Sequence, residues 1–250
     1  MVLWAGTSAE HAMTSREAVK QRGLIACLVA FAVSGFASGA AAADCKSLPG
    51  PGVDWRQCNK RQLMLGGSNL QGSNLVDTDF AATDLNGADL TAANLEKATL
   101  VRASLAGARA DKANFSRVEA YRGDFSGISA EGALFVSSEL QRADFTGAKL
   151  KGADFEKAEL GRANFDKAVL TGTRFSVANL SRANLSGALF EGPIDFDRAF
   201  MFLTRIEGLD LAAAKGLSQE QVDLACGDAA TKLPTGLTAP AKWPCPPDDD

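Results

Sequence analysis

The sequence predicts an all-β solenoid: a square, parallel β-helix of about seven coils, with a cap at each end and a short helix in the C-terminal cap. Three observations lead to this prediction. A five-residue phrase recurs without a slip, a period of twenty overlies it, and proline is absent from residues 53–192. A helix has a period of about 3.6 residues and a strand one of about two, so neither accounts for the phrase.

Large apolar residues occupy every fifth position from Leu65 to Phe190. These 26 central positions hold 14 Leu, 9 Phe and 3 Ala, and the residue two places earlier is nearly always Ala, Ser or Thr. Alternate residues of an extended segment point to the same side, so the small residue and the centre face inward and the polar residue between them faces outward. The remaining two residues must turn the chain. Each phrase is therefore one short strand and one corner.

The second corner residue repeats at every fourth phrase, which makes four phrases one square coil. Arginine takes this position at Arg102, Arg122, Arg142, Arg162 and Arg182, and glycine dominates two other such sets. Neighbouring coils should pair as parallel strands about 4.8 Å apart. Pro193 adds a single residue, after which Phe196, Met201, Ile206 and Leu211 resume the five-residue step.

The phrase A-(D/N)-(L/F)-x-x, as in ADLTAANLEKATL at residues 88–100, resembles the pentapeptide-repeat family over about 150 continuous residues. The resemblance implies a right-handed quadrilateral β-helix. Both ends of the chain are similar to those of exported members of the family. Some members resemble a DNA duplex in width and acidity and bind DNA topoisomerases, so the resemblance also implies an alternative function as a DNA-mimic inhibitor of such an enzyme.

The N-terminal residues have the pattern of a secretory signal peptide. Lys20 and Arg22 precede an apolar run at residues 24–36, and small residues lead to an expected cleavage after Ala43. Translation from Met1 or from Met13 is compatible with this pattern. We expect a periplasmic or secreted protein with no transmembrane segment after cleavage, and this location disfavours the DNA-mimic alternative.

Four cysteines follow the predicted cleavage site. Sequence proximity favours pairing Cys45 with Cys58 and Cys226 with Cys245, to stabilise the chain or, less readily, to act as a redox switch. The predicted organisation is then a signal peptide at 1–43, an N-terminal disulfide cap at 44–62, the repeats at 63–211, and a C-terminal helix and disulfide cap at 212–250. A monomer and a homodimer formed through the C-terminal cap both remain open.

Each cap has a candidate for closing the coil. Trp55 lies on the five-residue step and should cover the first coil at the N-terminal end. At the other end Ser218 is a plausible N-cap of a helix, with Gln221 completing a capping box.

The arginine row is the one patterned feature of the predicted surface. Glu119, Glu139 and Glu159 lie on the same face, three residues before Arg122, Arg142 and Arg162. We therefore keep two interpretations: a solvated ladder in which glutamate compensates arginine, and a strip that binds an acidic protein or an anionic envelope polymer.

The sequence gives no indication of catalysis, and we expect no catalytic residue, cofactor or metal site. The single histidine, His11, lies in the predicted leader, and no metal-ligand cysteine spacing, phosphate loop or nucleophile elbow is present. Acidic and amide residues precede the centres at Asn69, Asn74, Asp79, Asp84, Asp89 and Asn94, but their spacing differs from that of a calcium loop.

After removal of the leader the chain holds 23 basic and 28 acidic residues. This acidic balance argues against a nucleic-acid partner. The leading hypothesis is an exported, non-catalytic structural or protein-interaction module that presents a rigid surface.

Overall fold

The computed structural model describes residues 43–246, so that the predicted signal peptide lies outside the described residues except for Ala43. Parallel β-bridges join each ladder residue to the residue twenty positions later, from Asp54 with Asn74 to Val169 with Leu189. Within residues 43–246 no extended segment is longer than one ladder residue, and the one helix is α1, Gln219–Leu224.

The bridges divide the coil into four faces. We call them faces A, B, C and D after the ladders that begin at Asp54, Asn59, Met64 and Asn69. The ladder of face C continues beyond the repeats to Cys226, and a bridge that joins Asp210 to Lys232 follows face D. The paired backbone thus extends into the C-terminal cap.

In residues 94–98, a phrase with an asparagine before its centre, every amide has a hydrogen-bond acceptor. Asn94 donates to the preceding coil, whereas Leu95 and Lys97 donate to the following coil at 2.8 and 3.0 Å. Ala98 donates back across the corner to the carbonyl oxygen of Leu95. The amide of Glu96 donates to the side-chain oxygen of Asn94 at 3.1 Å. The polar residue before the centre therefore completes the hydrogen bonding of the corner.

The corners have a left-handed second residue. From Gly52 to Gly208 these residues have φ between 53° and 90°, and none of the first corner residues has a positive φ. This combination is that of a type II turn, which favours glycine at the second corner position. A non-glycine residue there costs about 1 kcal/mol of folding free energy.

Two columns of phenylalanine rings fill the middle of the coil. Face A supplies a stack that runs through Phe115, Phe135 and Phe155 with ring centroids 4.6 to 4.8 Å apart. Phe145 on face C stacks in the same way with its own neighbours and meets Phe135 and Phe155 edge to face. The ring separation matches the strand spacing, so each coil contributes one layer to a continuous core.

The N-terminal cap closes over the first coil as the sequence predicts. Trp55 is buried and donates through Nε1 to the hydroxyl of Ser47 at 2.8 Å. Lys60 takes an inward position, where its Nζ lies 3.7 Å from the centre of the Trp55 ring and donates to the carbonyl oxygen of Cys45. Burial lowers the pKa of the Lys60 amine. A disulfide between Cys45 and Cys58 closes the segment.

The C-terminal cap also contains the predicted capping box. Ser218 accepts a hydrogen bond from the Gln221 amide, and the Gln221 side chain accepts one from the Ser218 amide. The Gln221 side chain also donates at 2.8 Å to the carbonyl oxygens of Phe196 and Ala199 in the last coil. A disulfide joins Cys226 to Cys245, so both bonds have the pairing that sequence proximity favours.

Pro193 shifts the register by the single residue that the sequence predicts. The bridges that span it join residues 21 positions apart, as in Arg174 with Asp195 and Asn179 with Phe200, whereas the bridge of Asp195 with Lys215 returns to 20. Phe196, Met201 and the other inward residues that follow are buried. The insertion is thus absorbed at one corner and the core continues.

Truncation of one ring in the phenylalanine columns should weaken the fold strongly. We expect Phe145→Ala to lower the free energy of unfolding by about 3 to 5 kcal/mol, because a buried ring is replaced by a cavity. Phe200, which is 51% exposed, offers a matched control, and Phe200→Ala should change the same quantity by less than about 0.5 kcal/mol. Urea unfolding followed by circular dichroism measures both, and equal losses would contradict the assigned core.

Candidate functional site

The five arginines of the twenty-residue period lie along one edge of the coil, between faces B and C. We call Arg102, Arg122, Arg142, Arg162 and Arg182 the arginine ridge. All five take the left-handed corner position, with φ between 54° and 59°. Successive members lie one strand spacing apart, so the ridge spans about 19 Å. Glycine would fit these corners with less strain, so backbone geometry does not explain the choice of arginine.

The ridge differs from the other arginines by its lack of ion pairs. Residues 43–246 contain twelve arginines, and the seven outside the ridge all pair with a carboxylate. Arg174, for example, pairs with Asp154 and, at 2.6 Å, with Glu156, and the hydrogen bond to Asp154 raises its pKa. Within the same described range no carboxylate lies within 4 Å of a ridge guanidinium.

The glutamate row expected to compensate the ridge does not pair with it. Glu119, Glu139 and Glu159 form successive bridges in the middle of face B and are exposed. Glu159 accepts a hydrogen bond from Asn179, the next ladder residue, at 2.8 Å rather than one from an arginine. The carboxylates and guanidiniums are therefore two separate parallel rows.

A row of backbone donors accompanies the ridge. The first corner residues Val101, Tyr121, Gln141 and Gly161 each precede a ridge arginine, and their amides find no acceptor among residues 43–246. An Asn or Asp before the centre can accept this hydrogen bond, as Asn179 does from Ser181 beside Arg182. Away from the ridge, the amides of Asp111, Val136 and Lys151 also find no acceptor within the described range. The residues that precede these four corners on face B are a threonine and three glutamates, which do not accept it. Guanidinium and amide donors therefore alternate along the edge.

One aromatic ring supports the middle of the ridge. Tyr121, the only tyrosine of the chain, lies under Arg122 with the guanidinium carbon 5.2 Å from the ring centre. This cation–π contact leaves the hydrogen-bond donors of the guanidinium available.

The carboxylate and amide residues before the centres have a structural role. Each member of the series Asn69, Asn74, Asp79, Asp84, Asp89 and Asn94 accepts a hydrogen bond from the amide two residues later. Side-chain and backbone hydrogen bonds from Thr91, with Arg109 nearby, lower the pKa of Asp89. Among the described residues no group of three or more His, Cys, Asp or Glu side chains is placed to hold a metal ion.

The described part of the chain contains no helix that is both long and apolar enough to cross a membrane.

The repeat pattern is recognised at the level of a protein family. The family model for pentapeptide repeats matches in eight copies between residues 65 and 192. No curated protein matches the chain. Among solved structures, HetL of Nostoc sp. strain PCC 7120, a pentapeptide repeat protein involved in heterocyst differentiation regulation, is 22% identical, with 74% of this chain and 91% of HetL covered and a TM-score of 0.29.

Two further solved structures are similar. A pentapeptide repeat protein from the Arabidopsis thaliana thylakoid lumen is 34% identical over 42% of this chain and 74% of its own, with a TM-score of 0.29. A trypsin-treated M102R form of QnrB1, a plasmid-mediated fluoroquinolone resistance protein, is 16% identical over 74% of this chain and 84% of its own, with a TM-score of 0.42.

A coil of five-residue phrases, closed by a disulfide cap at each end, defines a repeat solenoid. The chain belongs to the pentapeptide-repeat family. Proteins of this family form right-handed quadrilateral β-helices and are generally structural or interaction modules rather than enzymes.

The ridge arginines should be dispensable for folding. We expect Arg142→Gly to raise the free energy of unfolding by about 1 kcal/mol, because glycine adopts the left-handed corner without strain and no ion pair is lost. Arg174→Ala should instead lower it, since Asp154 and Glu156 lose their partner. Thermal and urea unfolding measure the difference, and a destabilised Arg142→Gly variant would show that the ridge serves the fold.

Proposed function

We propose that the chain is an exported, non-catalytic binding module whose arginine ridge docks an anionic partner. The observation that carries the proposal is the contrast among the arginines: seven are ion-paired, and the five that share one edge are not. An arginine at a left-handed corner costs folding free energy, and no ion pair inside the described part of the molecule offsets this cost. Retention of a strained residue without structural benefit is typical of functional surfaces.

The shape of the fold supports a binding role. The backbone of each ridge corner is fixed by hydrogen bonds to the coils on either side, so the Cα atoms of the ridge arginines keep a constant separation. A binding surface that is ordered in advance loses little entropy on association. The partner that fits is therefore one with regularly spaced negative charges.

Export is the second part of the proposal. The disulfides at both ends suit an oxidising compartment, and the pattern of residues 20–43 is that of a signal peptide. The positive ridge and the exported location both oppose the alternative function as a DNA mimic.

Charge reversal on the ridge tests the binding role. A variant with Arg122→Glu, Arg142→Glu and Arg162→Glu should bind immobilised poly-L-glutamate with a Kd raised at least about tenfold, because three attractive contacts become repulsive. The matched control reverses three exposed lysines off the ridge, Lys112→Glu, Lys149→Glu and Lys151→Glu, and should stay within about twofold of wild type. Equal losses of affinity in the two variants would show that binding depends on the net charge of the protein and not on the ridge.

Fractionation of cells that express the full chain tests export. We expect the protein outside the cytoplasm, with Asp44 as its first residue by N-terminal mass spectrometry. Replacement of two residues in the apolar run by charge, Leu28→Arg and Val29→Arg, should leave an unprocessed cytoplasmic protein, whereas Ser8→Arg should be processed normally. Cytoplasmic, unprocessed wild-type protein would contradict this part of the proposal.

A further inference from the structure

An exposed pair of phenylalanines continues the arginine ridge at its C-terminal end. Phe200 follows Asn179 in the face B ladder, and the Arg182 amide donates to the Phe202 carbonyl oxygen at 2.8 Å. The two rings lie nearly parallel, with an interplanar angle of 11° and centroids 6.4 Å apart, and are 51% and 42% exposed. The edge therefore runs from guanidiniums to an aromatic platform within one strand spacing.

This platform is unlike the other rings of the coil. The phenylalanines of the two core columns are fully buried, whereas Phe200 and Phe202 present their rings to solvent. A surface cleft of about 380 Å³ opens beside Phe200, and Arg198, Ser218 and Glu220 line it. An exposed aromatic pair next to a cleft with polar walls is typical of a ligand-binding surface.

We propose, on the basis of the binding role above, that the ridge and the aromatic pair together bind a linear acidic polysaccharide with a carboxylate on each sugar. Guanidinium groups recognise carboxylates through paired hydrogen bonds, and the unpaired amides of residues 101, 121, 141 and 161 add donors beside them. One arginine per coil, about 4.8 Å apart, is comparable to the length of one sugar unit in an extended chain.

The neighbouring groups distinguish this ligand from other polyanions. Sugars offer hydroxyl donors, which the exposed carboxylates of Glu119 and Glu139 accept; a polyphosphate chain has no such donors and would be repelled by this row. The apolar face of a pyranose ring stacks on an aromatic side chain, which gives the Phe200 and Phe202 platform a partner. Aspartate and glutamate side chains match the arginines but offer no such ring face to the platform.

Binding of defined polymers tests the inference. The probes are polygalacturonate, its methyl ester and poly-L-glutamate, and the variants are the ridge charge reversal, its lysine control and Phe200→Ala with Phe202→Ala. We expect wild type to bind polygalacturonate at least about tenfold more tightly than poly-L-glutamate, and not to bind the methyl ester. The phenylalanine variant should weaken polygalacturonate binding about fivefold or more and change poly-L-glutamate binding by less than about twofold. The ridge variant should bind both polymers with a Kd at least about tenfold higher than that of wild type.

The outcomes separate the inference from the function on which it rests. Equal or tighter binding of poly-L-glutamate, or equal effects of the phenylalanine variant on both polymers, would overturn the polysaccharide assignment and leave an anion-binding ridge that suits an acidic protein. If wild type binds neither polygalacturonate nor poly-L-glutamate, both the polysaccharide assignment and the anion-binding function are wrong. Thermal unfolding of each variant confirms that the loss is not one of folding, since both rings are half-exposed.

Discussion

Each coil closes after twenty residues, and this closure places every ladder residue beside its counterpart in the next coil. The backbone hydrogen bonds that result determine the strand spacing, and the strand spacing determines the stacking distance of the phenylalanine rings. The same distance separates the Cα atoms of successive residues along each outer edge. Residues of one kind that recur every twenty positions therefore line up on the surface because the backbone ladders are in register. No separate interaction is needed to align the ridge.

Much of the fold follows from the sequence because the register is a one-dimensional pattern. Local spacing, which can be read directly from the sequence, determines four features of the fold. These are the inward centres, the square coil, the extra residue at Pro193 and the capping box of Ser218 and Gln221. The pairing of the cysteines also follows, since each pair is close in sequence. The burial of Lys60 against Trp55 could not be predicted, because it depends on how the cap folds back.

The ridge shows where sequence reasoning stops. Three-residue spacing suggests that Glu119 and Arg122 meet, but Glu119 lies in the ladder of face B and Arg122 at the corner that follows it, and they form no ion pair. Spacing along the chain therefore does not predict which of these charges form direct ion pairs. The role of Asn94 and its equivalents has a visible signal, namely an Asn or Asp immediately before the centre, although its meaning depends on which amide of the corner lacks an acceptor.

The uniform coil also gives the surface a modular length. Because twenty residues add one complete layer and change neither cap, duplication of such a segment in a gene would extend the charged edge by one group already in register. Each added layer would then provide one more contact to a long partner, and the affinity for that partner would rise with the number of layers. The insertion at Pro193 lies between Arg182 and Leu203, and marks the layer at which this series ends.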